Sequence, residues 1–115
     1  MGTTHNIVLP WVIIKEDCVE LTVDLTVYSE DAVLRTCYVF TDRCYLFLAS
    51  KDPRNITVEF RPKTTGVNLS CLAGDFGNEL VDQQLRYKLA SETRAIRELI
   101  VAQAFAEADL QDNNA

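Results

Sequence analysis

The sequence predicts a two-layer α+β sandwich. It consists of a small antiparallel or mixed sheet of three to four strands packed on one helix from the N-terminal half and two from the C-terminal half. Three observations point there. Residues 18–28, CVELTVDLTVY, alternate apolar and polar; the spacing turns helical directly afterwards; and past KTTG (63–66) it becomes helical for good.

The first element is the least defined. VLPWVIIKED (8–17) reads as a strand ending in a turn at Glu16-Asp17, with Pro10 confining it to an edge or to a strand's beginning. In 18–28, Val19, Leu21, Val23, Leu25 and Val27 share one face, and Glu20, Thr22, Asp24 and Thr26 the other, as in a half-buried strand. Ser29 is placed to cap a helix of about 30–42, with Glu30 and Asp31 in the first turn where the helix dipole favours negative charge. Val33, Thr36, Cys37 and Phe40 form its apolar face. CYLFLAS (44–50) is continuously apolar and reads as a strand buried on both faces. KDPRN (51–55) is a turn, and ITVEFRP (56–62) returns antiparallel with Ile56, Val58 and Phe60 inward. Leu69, Leu72, Ala73, Phe76 and Leu80 then mark a helix continued by Leu85 and Leu89. Gly74 and Gly77 on it suggest a close approach to another element. A break near Ala90-Ser91 precedes a final helix with Ile96, Leu99, Ile100, Ala104 and Phe105 inward. Placing the 56–62 strand between the other two makes a split βαβ layout with the helices on one face and a wetter opposite face.

At 115 residues the chain is one domain, 1–115, with an ordered core of about 11–110 and mobile ends at 1–6 and 111–115. A net charge of −6 argues against nucleic acid, whose phosphates need clustered Lys and Arg, and against anionic membrane surfaces. Cys18, Cys37, Cys44 and Cys71 form no C-x-x-C pair and have no neighbouring histidine, so no metal spacing is present. The run IVLPWVII (7–14) is too short for a span and has no basic leader. The chain therefore reads as cytoplasmic, with reduced and mostly buried thiols.

The sequence offers little for catalysis. The single histidine, His5, stands far from every cysteine, which removes Cys-His and Ser-His-Asp arrangements. No phosphate-binding glycine motif occurs, and the letters D-F-G in GDFG (74–77) have no other kinase element around them. No cofactor is expected. Three polar groups remain. Asp42 and Arg43 stand at the helix-to-strand joint, where Asp42 would help end the helix and Arg43 would pair with a carboxylate. Asn78, Glu79, Asp82 and Gln83 lie at helical spacing, either as a solvated face or as two carboxylates lacking a third ligand for a metal. Arg94 and Arg97, three apart, could hold a partner's carboxylate or pair with Glu98 or Asp82. Gln103 interrupts the Ala-rich stretch AQAFAEA as a mark of an internal hydrogen bond or an interface.

Three segments, SEDAVLRTCYVFTDRCYLFL (29–48), FGNELVDQQLR (76–86) and ETRAIRELIVAQAFAEADL (92–110), resemble the small D component of the His-Xaa-Ser system. The resemblance covers about residues 19–110. It implies a bacterial cassette with two radical-SAM proteins and a precursor bearing His-Xaa-Ser repeats, these being the implied partners, and a part in maturing that precursor. The chain lacks the C-x-x-x-C-x-x-C triplet of the radical enzymes, so the radical chemistry would belong to the partners. The resemblance carries over no catalytic residue. Sequence reasoning thus favours a non-catalytic accessory protein that binds the precursor or the modifying enzymes. Its alternatives are a small cofactorless or metal-assisted enzyme built on Asp42, Glu79 and Asp82, and a purely structural subunit. A homodimer is compatible with each.

Overall fold

The structure, a computed structural model, describes residues 11–113, with side chains apart from residues 51 and 108–113. His5, Pro10 and the expected mobile N-terminus lie outside that range. The described chain runs β1 (Val12–Ile14), β2 (Val19–Asp24), α1 (Glu30–Phe40), β3 (Cys44–Asp52), β4 (Asn55–Pro62) and α2 (Leu69–Asn113). It divides into two compact units, one up to Gln84 and one from Leu85 onward.

The first unit holds a four-stranded sheet in the order β1-β2-β4-β3, every neighbouring pair antiparallel. β2 and β3 are therefore parallel, joined through α1, and split by β4 between them. This is the predicted α+β, split βαβ layout. Alternation decides which face is dry: Val19, Leu21 and Val23 of β2 and Val58 and Phe60 of β4 are buried with Val33, Cys37 and Phe40 of α1 and Leu72, Phe76 and Leu80 of α2. At the centre, the ring of Phe76 stacks on Phe60 at 4.7 Å and meets Phe40 at 5.1 Å, joining both helices to the sheet. Buried Thr36 is satisfied, its hydroxyl donating to the Ala32 carbonyl at 2.7 Å.

Local chemistry sets the element ends. Ser29 caps α1 by accepting the Ala32 N–H at 3.0 Å, as expected. The helix ends at Phe40, two residues early. Its C-cap is Thr41, whose hydroxyl donates to the Tyr38 carbonyl at 2.7 Å, so Asp42 lies beyond the cap. In the β3–β4 turn, Asp52 accepts the N–H groups of Arg54 (2.8 Å) and Asn55 (2.9 Å). The Arg54 bond first, then those from Asn55, hold its carboxyl below the usual range. Gly66, with φ of 81°, takes the left-handed conformation that lets KTTG turn into α2, whose first turn is capped by Asn68 accepting the Cys71 N–H at 3.1 Å.

Two expectations are corrected. α2 is one helix, with no break at Ala90-Ser91. Ser91 and Thr93 can cap a helix but do not oblige one to start, and no Pro or Gly follows Gly77 to stop the helix already running. Residues 111–113, at the start of the expected mobile tail, continue this helix. β3 is not buried on both faces. It is an edge strand of a sheet whose helices cover one side, and Tyr45 and Phe47 are 56% and 64% exposed. A continuous apolar run signals double burial only where both sheet faces are covered.

All four cysteines are free thiols; Cys18, Cys37 and Cys44 are buried and Cys71 is exposed. Burial pushes the Cys37 thiol up to about 11. In native protein, iodoacetamide should modify Cys71 alone, the other three reacting at least about 100-fold more slowly because each must wait for local opening. Peptide mass spectrometry of a labelling time course checks this, and denaturant should equalise the four.

Candidate functional site: an apolar groove and an open sheet edge

A groove opens over the inner side of β1 and β2, whose inward side chains are themselves largely buried. Val12, Ile14, Leu21 and Val23 form the floor of a 660 Å³ groove, with Ser70, Ala73, Gly74, Gly77 and Leu80 of α2 as its wall. Those wall residues recur at spacings of three and four and so lie on one face of the helix. They are mostly too small to reach the sheet. A Cβ built at Gly74 or Gly77 meets nothing within 4 Å, so the close approach expected at these glycines does not occur within the chain. Both positions cost helix propensity and leave room instead.

Exposed Trp11 and Val27, with half-buried Tyr28, form the rim. One charged side chain lines the groove, Asp24. Its carboxylate accepts from the Thr26 hydroxyl at 2.7 Å and the Thr26 N–H at 2.8 Å, and these bonds hold its carboxyl below the usual range. The site is thus an apolar trough with a fixed negative charge at one end. Its volume suits a few side chains of a peptide.

The opposite edge of the sheet is a second surface. β3 is nine residues long, and its outward side carries Tyr45 and Phe47, cross-strand from Arg61 and Glu59. The Lys63 ammonium lies 5.3 Å from the Tyr45 ring. The face expected to be wet is therefore mixed: Thr22 and Thr57 meet across β2 and β4 with their hydroxyl oxygens 3.4 Å apart, and the aromatic pair lies toward the β3 edge.

None of the nine sequence-selected polar residues lines the groove. Asp42 is exposed at the α1–β3 joint. Arg43 does not pair with a carboxylate among the described residues. Its guanidinium stacks over the Phe40 ring, 4.2 Å from the centroid, and closes the end of the core. Asn78 is exposed, Glu79, Asp82 and Gln83 are half-buried, and the Gln83 amide donates to the Glu79 carboxylate at 2.8 Å, one turn apart as their spacing suggests. Arg94, Arg97 and Gln103 belong to the second unit and are exposed, and neither arginine pairs with Glu98. Among the described residues no group of three or more His, Cys, Asp or Glu could hold a metal ion.

One working residue escaped the sequence reading. Gln84 accepts the Ser29 N–H at 2.7 Å, tying α2 to the start of α1. The signal was available: Phe76, Leu80 and Gln84 are four apart, so Gln84 ends the buried stripe and must find a donor there. Gln84→Leu should lower the stability of the first unit by about 1 kcal/mol, read from the urea midpoint, by leaving that N–H unpaired.

Compared with known proteins, residues 23–111 match the family model described as His-Xaa-Ser system protein HxsD. No curated protein and no solved structure matches the chain. No helix among the described residues is long and apolar enough to cross a membrane.

Proposed function

The chain belongs to the HxsD family of the His-Xaa-Ser system, and from that premise we propose that it is a non-catalytic accessory protein that binds another component of the system, the His-Xaa-Ser-bearing precursor or an enzyme that modifies it. The observation that carries this reading is the groove between β1–β2 and the first part of α2, apolar along its length and charged only at Asp24. An extended peptide could lay apolar side chains between floor and wall and set a cationic or hydrogen-bond-donating group against Asp24. The open β3 edge supports the same reading, because an extended chain can add to such an edge as a further strand. The three carboxylates on which an enzyme would rely, Asp42, Glu79 and Asp82, are not gathered about this groove. Four free thiols support placing the protein in a reducing compartment, the cytoplasm.

Calorimetry with a purified His-Xaa-Ser-bearing precursor and with radical-SAM proteins of such a system tests the reading. Saturable binding to at least one is expected, and binding to none overturns it.

A further inference from the structure

The second unit consists of the later part of α2, and every described side chain from Leu85 to Glu107 is exposed. Leu85, Leu89, Ile96, Leu99 and Ile100 are between 55% and 67% exposed. A helix bearing such a row of large apolar side chains gains most of its stability in water when that row is covered. The stripe has coiled-coil spacing: positions 85, 89, 92, 96, 99, 103 and 106 are alternately four and three apart and read Leu, Leu, Glu, Ile, Leu, Gln, Ala.

The two polar seam positions identify the cover. Against a wholly apolar groove, Glu92 and Gln103 would be buried without partners. In a parallel pair of copies, Glu92 would face Glu92. In an antiparallel pair with Ile96 opposite Leu99 of the second copy, Glu92 falls opposite Gln103 and Leu89 opposite Ala106, so polar meets polar and apolar meets apolar along the seam. The same register sets Arg86 and Glu107 on one flank facing each other. Charge along the helix agrees. Residues 85–98 carry Arg86, Lys88, Arg94 and Arg97 against Glu92 and Glu98, net +2. Residues 99–115 carry Glu107, Asp109 and Asp112 with no cation, net −3. Antiparallel copies lay the basic half on the acidic half; parallel copies lay like on like.

We propose that residues 85–107 of α2 form an antiparallel two-fold coiled-coil interface with a second copy of this chain. The five large apolar side chains offer roughly 100 Å² each, so two copies would bury about 1,000 Å², the lower bound of a specific interface. Such an interface is isologous and closes at two copies. It is independent of what the first unit binds.

Sedimentation equilibrium of the full chain should give twice the 13.0 kDa protomer mass. Leu99→Asp should weaken self-association about 100-fold or more while the sheet unit keeps its cooperative unfolding. Orientation is read by cross-linking in a Cys71→Ser background. Copies with Glu92→Cys mixed with copies carrying Gln103→Cys should form a disulfide between the two variants, and neither alone should dimerise covalently. A monomer at concentrations up to about 100 μM, an unchanged dimer in Leu99→Asp, or efficient self-cross-linking of either variant each overturns the proposal.

Discussion

Phe76→Ala should bring the first unit close to unfolding at room temperature. Phe76 is fully buried and contacts both Phe60 and Phe40, whose rings also lie 6.5 Å from each other, so the three join the sheet and both helices. Truncating a buried Phe costs about 3–5 kcal/mol through lost transfer energy and the cavity left behind. Domains commonly have only about 5–15 kcal/mol in total. The neighbours cannot close the gap easily, because Phe60 is fixed in the central strand and Phe40 ends α1 beneath the Arg43 guanidinium. Phe76→Leu keeps much of the volume and should cost less than half as much. Urea titration followed by far-ultraviolet circular dichroism measures both. A double-mutant cycle between positions 60 and 76 should return a coupling of about 0.5–1.5 kcal/mol for the stacked pair. An unchanged midpoint in Phe76→Ala would mean that the stacked rings are not the centre of the core.

Gly77→Leu should do the reverse: it should abolish partner binding and leave the fold as stable as before, or more so. A Cβ at this position meets open space, and Leu is a better helix former than Gly by roughly 0.8 kcal/mol. The new side chain enters the groove between the helix and the floor residues Val23 and Leu21, where the partner's side chain would lie. Calorimetry should show binding weakened by at least about 10-fold, with the melting temperature unchanged or raised. Gly74→Ala and Gly77→Ala separate the two effects, each stabilising by roughly 0.5–1 kcal/mol while filling little of the groove. Full binding by Gly77→Leu would remove the groove from the functional reading without touching the β3 edge. Because the variant is expected to be stabilised, loss of binding could not be put down to loss of structure.

These two residues show what the sequence could and could not disclose. Phe76 was legible because helical spacing places it on the stripe with Leu72 and Leu80, and such stripes face a core. Phe60 was legible from alternation alone. Gly77 is visible as an anomaly, and its sign is opposite to the expected close approach: a glycine in a helix marks either a close neighbour or a space, and only the position of the other wall distinguishes them. β3 was misread for a related reason. Its apolar run states that side chains avoid water, without stating whether the cover comes from this chain or another. The groove itself was invisible, since it is made by β1 and β2 together with α2, which begins more than 40 positions later in the chain. Arg43 was found as a residue that matters, but periodicity cannot choose between a carboxylate and the face of Phe40 as its partner.

The unequal lengths of the two sheet edges set how far strand addition could go. β1, at one edge, has three residues, and β3, at the other, has nine. A sheet with two long bare edges can be extended from either side without limit, and that is how fibrils propagate. Among the described residues only β3 is an edge long enough to template a new strand. Two molecules joined by their β3 edges would leave, among the described strands, three-residue β1 margins to offer a third. With edges of these lengths, an edge open to capture at β3 would be compatible with self-addition that stops after a single step.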